Sequence, residues 1–222
     1  MGLQIKPKTG QIQSTKMADI MFCIDNSGSM SSCIEGVRAT VSAFVSSLEA
    51  GVEGQSPVDW QIGLLNYSDV EFIFVDLAKD TTKFKARLGQ NTAGWDEFTP
   101  AAIDYAISNA NWRMGAQRVI VVFTDETISS GAGGQGQFDS LLKKIVDSNV
   151  QIVYYGPDCP YYTKFSQCPK AEVNVVTGFE GVNFNALMSR LAVTVSSNSL
   201  NASKQPVSKT MVYSMSSIKI TK

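Results

Sequence analysis

The sequence predicts an α/β fold: a doubly wound, mostly parallel central sheet with one antiparallel edge strand and helices on both faces. Short apolar runs closed by polar residues, such as residues 20–24 and 119–124, are typical of strands buried on both faces. Longer segments with one apolar face at helical spacing alternate with these runs, and that alternation favours a parallel sheet covered by helices. Only the runs on either side of Ser68-Asp69 are so closely spaced that they indicate an antiparallel pair.

The elements follow one another in a regular order along the chain. The first helix is expected to begin near Ser31 or Ser32, either of which can cap it, and to end at Gly51. The predicted strands cover residues 20–24, 58–67, 70–77, 118–124, 151–155 and 172–176. The later helices are predicted over residues 80–88, 101–112, 138–146 and 184–195. We therefore predict a polar lead-in at 1–17, one domain at 18–197, and a tail or added strand at 198–222.

Composition excludes several classes of function. The chain has 222 residues, a formal net charge of -1 and no histidine, which removes Ser-His-Asp and Cys-His catalysis and histidine-bound zinc. No basic cluster points to nucleic acid or to an anionic membrane as a partner. No apolar run reaches the roughly 18 residues of a spanning helix, and the start has no secretion signal, so we expect a cytoplasmic protein.

The four cysteines form no C-x-x-C pair, so zinc and redox motifs are not indicated. Cys159 and Cys168 lie in one loop-like stretch and could be bridged, although a cytosolic setting favours free thiols. The sequence leaves both states open.

Two of the apolar runs end in acidic and hydroxyl side chains. The first ends in Asp25, Ser27 and Ser29, and the later one ends in Asp125 and Glu126. If the two strands are neighbours, Asp25 and Asp125 meet at one edge of the sheet, where they repel each other unless a cation lies between them. Oxygen ligands of this kind suit Mg²⁺. The alternative is that Asp25 and the serines only cap the following helix.

The chain resembles the von Willebrand factor A domains, which carry the metal ion-dependent adhesion site, in four motifs that occur in order. D-N-S-G-S-M at 25–30 is similar to the family's D-x-S-x-S motif, and G-L-L-N-Y-S-D at 63–69 to its second strand and turn. Thr99, followed by Ala102-Ile103, resembles the family's loop threonine, and V-I-V-V-F-T-D resembles the strand before the last site aspartate, Asp125. The resemblance covers roughly residues 18–197 and implies a Rossmann-like fold.

The resemblance implies a metal site made of Asp25, Ser27, Ser29, Thr99 and Asp125. The cation would be Mg²⁺, or Mn²⁺ or Ca²⁺, with the two serines bound directly and the aspartates acting largely through water. One coordination position would stay free for a carboxylate of a partner protein.

Two departures from the family pattern concern acidic residues near this site. Glu97 stands before Phe98-Thr99, and Glu126 follows Asp125 where the family commonly has glycine. These acids either tighten metal binding or point to solvent. Thr92 is a second candidate for the loop threonine, and Trp95 would be a good contact anchor if exposed. We assign Trp95, Glu97 and Glu126 to partner binding.

The function expected from this site is metal-dependent protein–protein interaction rather than catalysis. The partner would present an aspartate or glutamate, and the family's intracellular members suggest an AAA+ ATPase or a stress-response complex. Two alternatives remain. One is a metal-dependent phosphatase or hydrolase, although the D-x-D motif of haloacid dehalogenase-like phosphatases is absent because Ser27 takes its second position. The other is a structural subunit that keeps the fold with an empty site.

Overall fold

A computed structural model describes residues 16–52, 54–68, 71–90, 99–128 and 134–202, without the side chains of 134–136 and 200–202. The strands in these residues are β1 (Lys16–Asp25), β2 (Val58–Tyr67), β3 (Phe72–Ala78), β4 (Gln117–Phe123), β5 (Val150–Gly156) and β6 (Glu172–Val175). The α-helices are α1 (Ser31–Ala50), α2 (Thr81–Arg87), α3 (Thr99–Asn109), α4 (Gly134–Asp147) and α5 (Phe184–Ala202). Short 3-10 helices lie at Gly28–Met30 and Tyr162–Gln167.

The strands form one sheet in the order β3-β2-β1-β4-β5-β6. Every neighbouring pair is parallel except β2 and β3, which are antiparallel, so β3 is the edge strand that the sequence predicts. Strands β2 and β3 lie on one side of β1, and β4, β5 and β6 follow on its other side. The strand order therefore reverses between β1 and β4, and ligands of such folds bind at the carboxyl ends of the strands at this point.

Both faces of the sheet are covered by helices, as predicted. Side chains of β1 alternate between the two cores: Phe22 and Ile24 pack on the face that carries α1, α2 and α5, whereas Met21 and Cys23 pack on the face that carries α3 and α4. On the first face, Gly36 lets α1 approach α5 closely, because a Cβ atom built there would lie 2.2 Å from the ring of Phe184. This alternation explains why the run in β1 is apolar without interruption.

An ion-pair cluster closes the amino end of the sheet. The Asp19 side chain in β1 is fully buried, and the Arg113 Nε donates to its Oδ1 at 2.7 Å while the Arg113 backbone N–H donates to Oδ2 at 2.6 Å. The same guanidinium bonds Asp59 Oδ2 of β2 at 2.8 Å. A buried carboxylate requires such partners, because an unpaired charge in the interior is costly. Arg113 thus neutralises Asp19 from within the chain.

Several predicted boundaries differ from the structure. Helix α1 begins at Ser31, as predicted, but neither Ser31 nor Ser32 caps it: the chain first makes a 3-10 turn that buries Met30, and Met30 takes the cap position without a side-chain hydrogen bond. Helix α3 starts at Thr99 and ends at Asn109, earlier than predicted at both ends. Helix α5 continues to Ala202, past residue 197 where the predicted domain ended.

The sequence leaves open whether Cys159 and Cys168 form a disulfide, and the structure answers this. All four cysteines are buried and free, so Cys159 and Cys168 are not bridged. Among the helices of the described residues, none combines the length and the apolar character needed to cross a bilayer.

Candidate metal centre

Asp25, the last residue of β1, lies at the carboxyl edge of the sheet with its side chain fully buried. Its Oδ1 accepts a hydrogen bond from the Ser27 backbone N–H at 2.8 Å, and its Oδ2 accepts one from Thr124 Oγ1 at 2.9 Å. The first bond closes the tight turn after β1, and the second joins β1 to the end of β4. The carboxylate is thus held in one orientation by groups from two adjacent strands.

The loop after Asp25 presents two hydroxyl groups next to each other. Ser27 Oγ and Ser29 Oγ are 3.1 Å apart, and Ser29 is exposed to solvent. Between the serines and the sheet, the Asn26 backbone N–H donates to the Tyr67 carbonyl at 3.0 Å, and Asn26 Nδ2 donates to the Gln90 carbonyl at 2.8 Å. These bonds brace the loop against β2 and against the segment after α2.

Asp125 follows β4 and carries an oxygen without a partner. Its Oδ1 is buried and has no hydrogen-bond partner among the described residues. A buried carboxylate oxygen in this state carries the full cost of its lost hydration, so the position suits a bound cation or a water that the cation holds. The next residue, Glu126, is exposed, and its backbone N–H donates to Thr124 Oγ1 at 3.2 Å.

Thr99, the first residue of α3, is fully buried at the same edge. Its Oγ1 lies 2.7 Å from the hydroxyl oxygen of Tyr67, which is also fully buried. Tyr67 ends β2 and stands opposite Asp25 in the pairing of β1 with β2. The structure therefore brings Asp25, Ser27, Ser29 and Asp125 to the ends of β1 and β4, and it attaches Thr99 through Tyr67.

Burial and the closeness of two acidic side chains, Asp25 and Asp125, shift pKa values at this edge of the sheet. Burial raises the pKa of Asp25 from 3.8 to about 6, and the negative charge of Asp125 adds to the effect, although the hydrogen bonds of Asp25 oppose it. Burial also raises the pKa of the Cys33 thiol well above its usual value, with further contributions from Asp25 and Asp125. A cation at this edge would relieve both the repulsion between the acids and the desolvation of Asp25.

The donor set fits a hard divalent cation. The described residues contain no group of three or more histidine, cysteine, aspartate or glutamate side chains able to hold a metal, so a cation here depends on hydroxyl oxygens together with the two aspartates. All of these are oxygen ligands, which Mg²⁺ and Ca²⁺ prefer. The unpartnered Asp125 Oδ1 is the observation that favours a cation over a simple helix cap.

Three residues named from the sequence, Thr92, Trp95 and Glu97, lie outside the described residues. Two residues of the site were not foreseen, Thr124 and Tyr67. Thr124 could have been noticed as a polar residue that directly follows an otherwise apolar run. The hydroxyl of Tyr67 gives no such signal, because tyrosine is common in strands and its partner Thr99 is distant in the chain.

The family model of the von Willebrand factor type A domain matches residues 19–186 of this chain. No curated protein matches the sequence. Among solved structures, BatB from Bacteroides thetaiotaomicron is 12% identical with a TM-score of 0.58, and the match covers 83% of this chain and 99% of that one.

Two other similar structures contain this fold within longer chains. The pilus adhesin SpaC from Lactobacillus rhamnosus GG is 17% identical with a TM-score of 0.59, and the match covers 84% of this chain and 31% of SpaC. Proximal thread matrix protein 1 from the mussel byssus is described with a zinc-occupied MIDAS (metal ion-dependent adhesion site) motif. It is 14% identical with a TM-score of 0.58, and the match covers 85% of this chain and 46% of that one. At these identities the structures support the fold, and the family match covers most of the sequence. The chain therefore belongs to the von Willebrand factor type A domain family.

Proposed function

We propose that this protein is a metal-dependent protein-interaction domain that binds an acidic side chain of a partner through a divalent cation. The observation that carries the proposal is the pairing of the buried Asp25 with an unpartnered Asp125 oxygen beside two hydroxyl groups. Two acids so placed destabilise the fold unless a positive charge lies nearby or one of them is protonated.

The residues that would hold the cation are Ser27, Ser29, Thr99, Asp25 and Asp125. When bound, the cation supplies an electrophilic centre that attracts one more anionic oxygen. Within the chain, Asp25 fixes the turn that carries the serines, because its Oδ1 accepts the Ser27 N–H. Hydroxyls as ligands leave the net charge of the site low, so a carboxylate from outside adds binding energy instead of repulsion.

The contacts of Asp25 favour binding over hydrolysis. Both of its oxygens accept hydrogen bonds and its side chain is fully buried, so it is poorly placed to attack a phosphate as a nucleophile. The similar structures agree with a binding role, since SpaC is a pilus adhesin and the mussel protein has zinc at its MIDAS motif.

Metal binding is tested by titrating the chelator-treated full chain with Mn²⁺ in a calorimeter. We expect one site per chain, which Mg²⁺ competes for and which Asp125→Ala weakens. Asp139→Ala is a matched control, because Asp139 is an aspartate on α4 that pairs with Lys164 and is not among the predicted metal ligands. Absence of saturable Mn²⁺ binding would contradict the proposal.

The open coordination position is tested with a small carboxylate as the probe. Acetate added to the Mn²⁺-loaded protein should lower water-proton relaxation, because it displaces a metal-bound water, whereas the neutral analogue acetamide should not. Unchanged relaxation with acetate would mean that the cation has no position for a partner.

The macromolecular partner is sought by affinity capture with Mg²⁺ and elution with chelator. With the captured protein purified, chelation and Asp125→Ala should weaken its binding to a similar degree, and combining them should add little, because both remove one shared interaction. Trp95→Ala should weaken binding additively with chelation if Trp95 is an independent anchor. Affinity that survives both chelation and Asp125→Ala would place the interface elsewhere.

A further inference from the structure

We infer that Tyr67 is a positioning residue for the metal site: its hydroxyl donates to Thr99 Oγ1 and thereby directs a lone pair of Thr99 toward the cation. This inference rests on the proposed metal-binding function and adds to it a residue outside the ligand set that the family motifs indicate.

Tyr67 is held in place both by its backbone and by the packing of its ring. It is the last residue of β2, it is fully buried, and its ring belongs to the core on the face that carries α3. Its backbone carbonyl accepts the Asn26 N–H at 3.0 Å, so the same residue also contacts the serine loop. A tyrosine held at both its backbone and its ring keeps its hydroxyl oxygen in one place.

The hydroxyl oxygens of Tyr67 and Thr99 are 2.7 Å apart in a region closed to solvent. Each group has one proton and two lone pairs. Among the described residues, the structure gives each of these two hydroxyls only the other as a hydrogen-bond partner. Which hydroxyl donates is therefore decided by whether the proton of the other hydroxyl can find an acceptor.

Donation from Tyr67 to Thr99 satisfies both groups. The Tyr67 proton is used, one Thr99 lone pair is used, and the other lone pair and the Thr99 proton remain for the cation and for an anionic oxygen beside it. Donation from Thr99 to Tyr67 would leave the Tyr67 proton without an acceptor in a buried place, which is unfavourable. The first arrangement makes Thr99 a pre-oriented ligand.

A ligand oriented in this way binds metal more tightly, because its rotamer is already selected before the cation arrives. Hydrogen-bond partners of metal ligands commonly contribute roughly 10- to 100-fold to metal affinity. A phenylalanine at position 67 would fill the same core volume but would leave the Thr99 hydroxyl free to turn away from the site. The tyrosine therefore adds metal affinity that the packing of its ring does not explain.

The test measures Mn²⁺ affinity of the full chain by calorimetry for Tyr67→Phe, which removes only one oxygen atom. We expect a loss of roughly tenfold. Tyr155→Phe is the matched control: Tyr155 lies near the end of β5, and its buried hydroxyl has no hydrogen-bond partner among the described residues. That variant should bind Mn²⁺ as the wild type does.

A double-mutant cycle with Thr99→Val separates positioning from a general effect on folding. Thr99→Val removes the oriented hydroxyl, so Tyr67→Phe should cause no further loss in that background. Thr99→Ser keeps the hydroxyl that Tyr67 holds, so it should lose less Mn²⁺ affinity than Tyr67→Phe, whose expected loss is roughly tenfold.

The inference is overturned if Tyr67→Phe binds Mn²⁺ normally, if it weakens Thr99→Val further, or if Thr99→Ser loses as much affinity as Thr99→Val. Those outcomes leave the metal site itself in place. Failure of the wild-type protein to bind Mn²⁺ overturns the proposed function, and with it this inference.

Discussion

Replacing Asp25 with asparagine should make the metal-free protein more stable and should abolish its response to divalent cations. Asparagine has nearly the shape of aspartate, and its Oδ1 can still accept the Ser27 N–H that closes the turn. The substitution removes the negative charge from a fully buried position. It therefore separates the cost of that charge to the fold from its use in binding metal.

The size of the effect follows from the pKa of Asp25, which is about 6 in the folded protein against 3.8 normally. Each pH unit of difference corresponds to roughly 1.4 kcal/mol, so the charged carboxylate costs the metal-free fold about 3 kcal/mol at pH 7. Asparagine places an amide NH2 group where Asp25 Oδ2 accepts the Thr124 hydroxyl, so that hydrogen bond must reverse and one amide N–H is left without an acceptor, which costs about 1 kcal/mol or more. A net gain of about 1 to 2 kcal/mol raises the midpoint of a domain of this size by roughly 2 to 8 °C.

The assay is thermal unfolding followed by circular dichroism at pH 7, in chelator and in excess Mg²⁺. In chelator, Asp25→Asn should unfold at the higher temperature. At a metal concentration of about 100 times Kd, binding adds about 2.7 kcal/mol to the wild type alone. The wild type with Mg²⁺ should then be the most stable sample, followed by the variant and last by the metal-free wild type.

Asp19→Asn is the matched control, because it is the same substitution at a second fully buried aspartate of β1. There the charge is paired with Arg113, so its removal should lower the midpoint instead of raising it. An Asp25→Asn protein that is less stable than the wild type in chelator, or that still gains stability from Mg²⁺, would refute the reasoning.

Three further predictions concern the same two ends of the sheet. In chelator, the stability deficit of the wild type relative to Asp25→Asn should shrink as the pH falls through about 6, because the folded state then binds the Asp25 proton more tightly than the unfolded state does; urea unfolding at pH 5 to 8 checks this. Ser27→Ala combined with Ser29→Ala should abolish Mn²⁺ binding in the calorimeter but keep a cooperative thermal transition, because both hydroxyls belong to a surface loop. Arg113→Met should lower the free energy of unfolding by about 3 kcal/mol, since it leaves the Asp19 charge buried and unpaired; urea unfolding should show this loss, with Mn²⁺ affinity unchanged.

The fold was predictable from the sequence because its main signals are local. The uninterrupted apolar character of β1 and β4 marks strands covered on both faces, and the short turn at Ser68 marks the antiparallel pair. The meeting of Asp25 and Asp125 followed once those two strands were neighbours. What the sequence could not supply was any contact between distant residues that share no periodic pattern.

Two such contacts belong to the site, and a third lies at the opposite end of the sheet. Thr124 donates to Asp25 across 99 residues, Tyr67 reaches Thr99 across 32, and Arg113 reaches Asp19 across 94. None of these pairs leaves a trace in hydropathy or spacing, because each depends on strand register and side-chain direction. Helix α1 begins at Ser31 as predicted, but the predicted serine cap was wrong for a related reason, since Met30 is buried in a 3-10 turn and takes the cap position.

Strand β1 holds one buried aspartate, Asp19, near its beginning and another, Asp25, at its end, about 20 Å apart at the usual rise of a strand. Arg113 neutralises the first, whereas under the proposed function the second is neutralised by a divalent cation from solution. In hydrogen exchange, amides around Asp19 should therefore exchange at a rate that ignores divalent cations, while those from Asp25 to Ser29 should slow as cation is added. The local stability of β1 would thus depend on the concentration of divalent cation at its carboxyl end but not near its amino end.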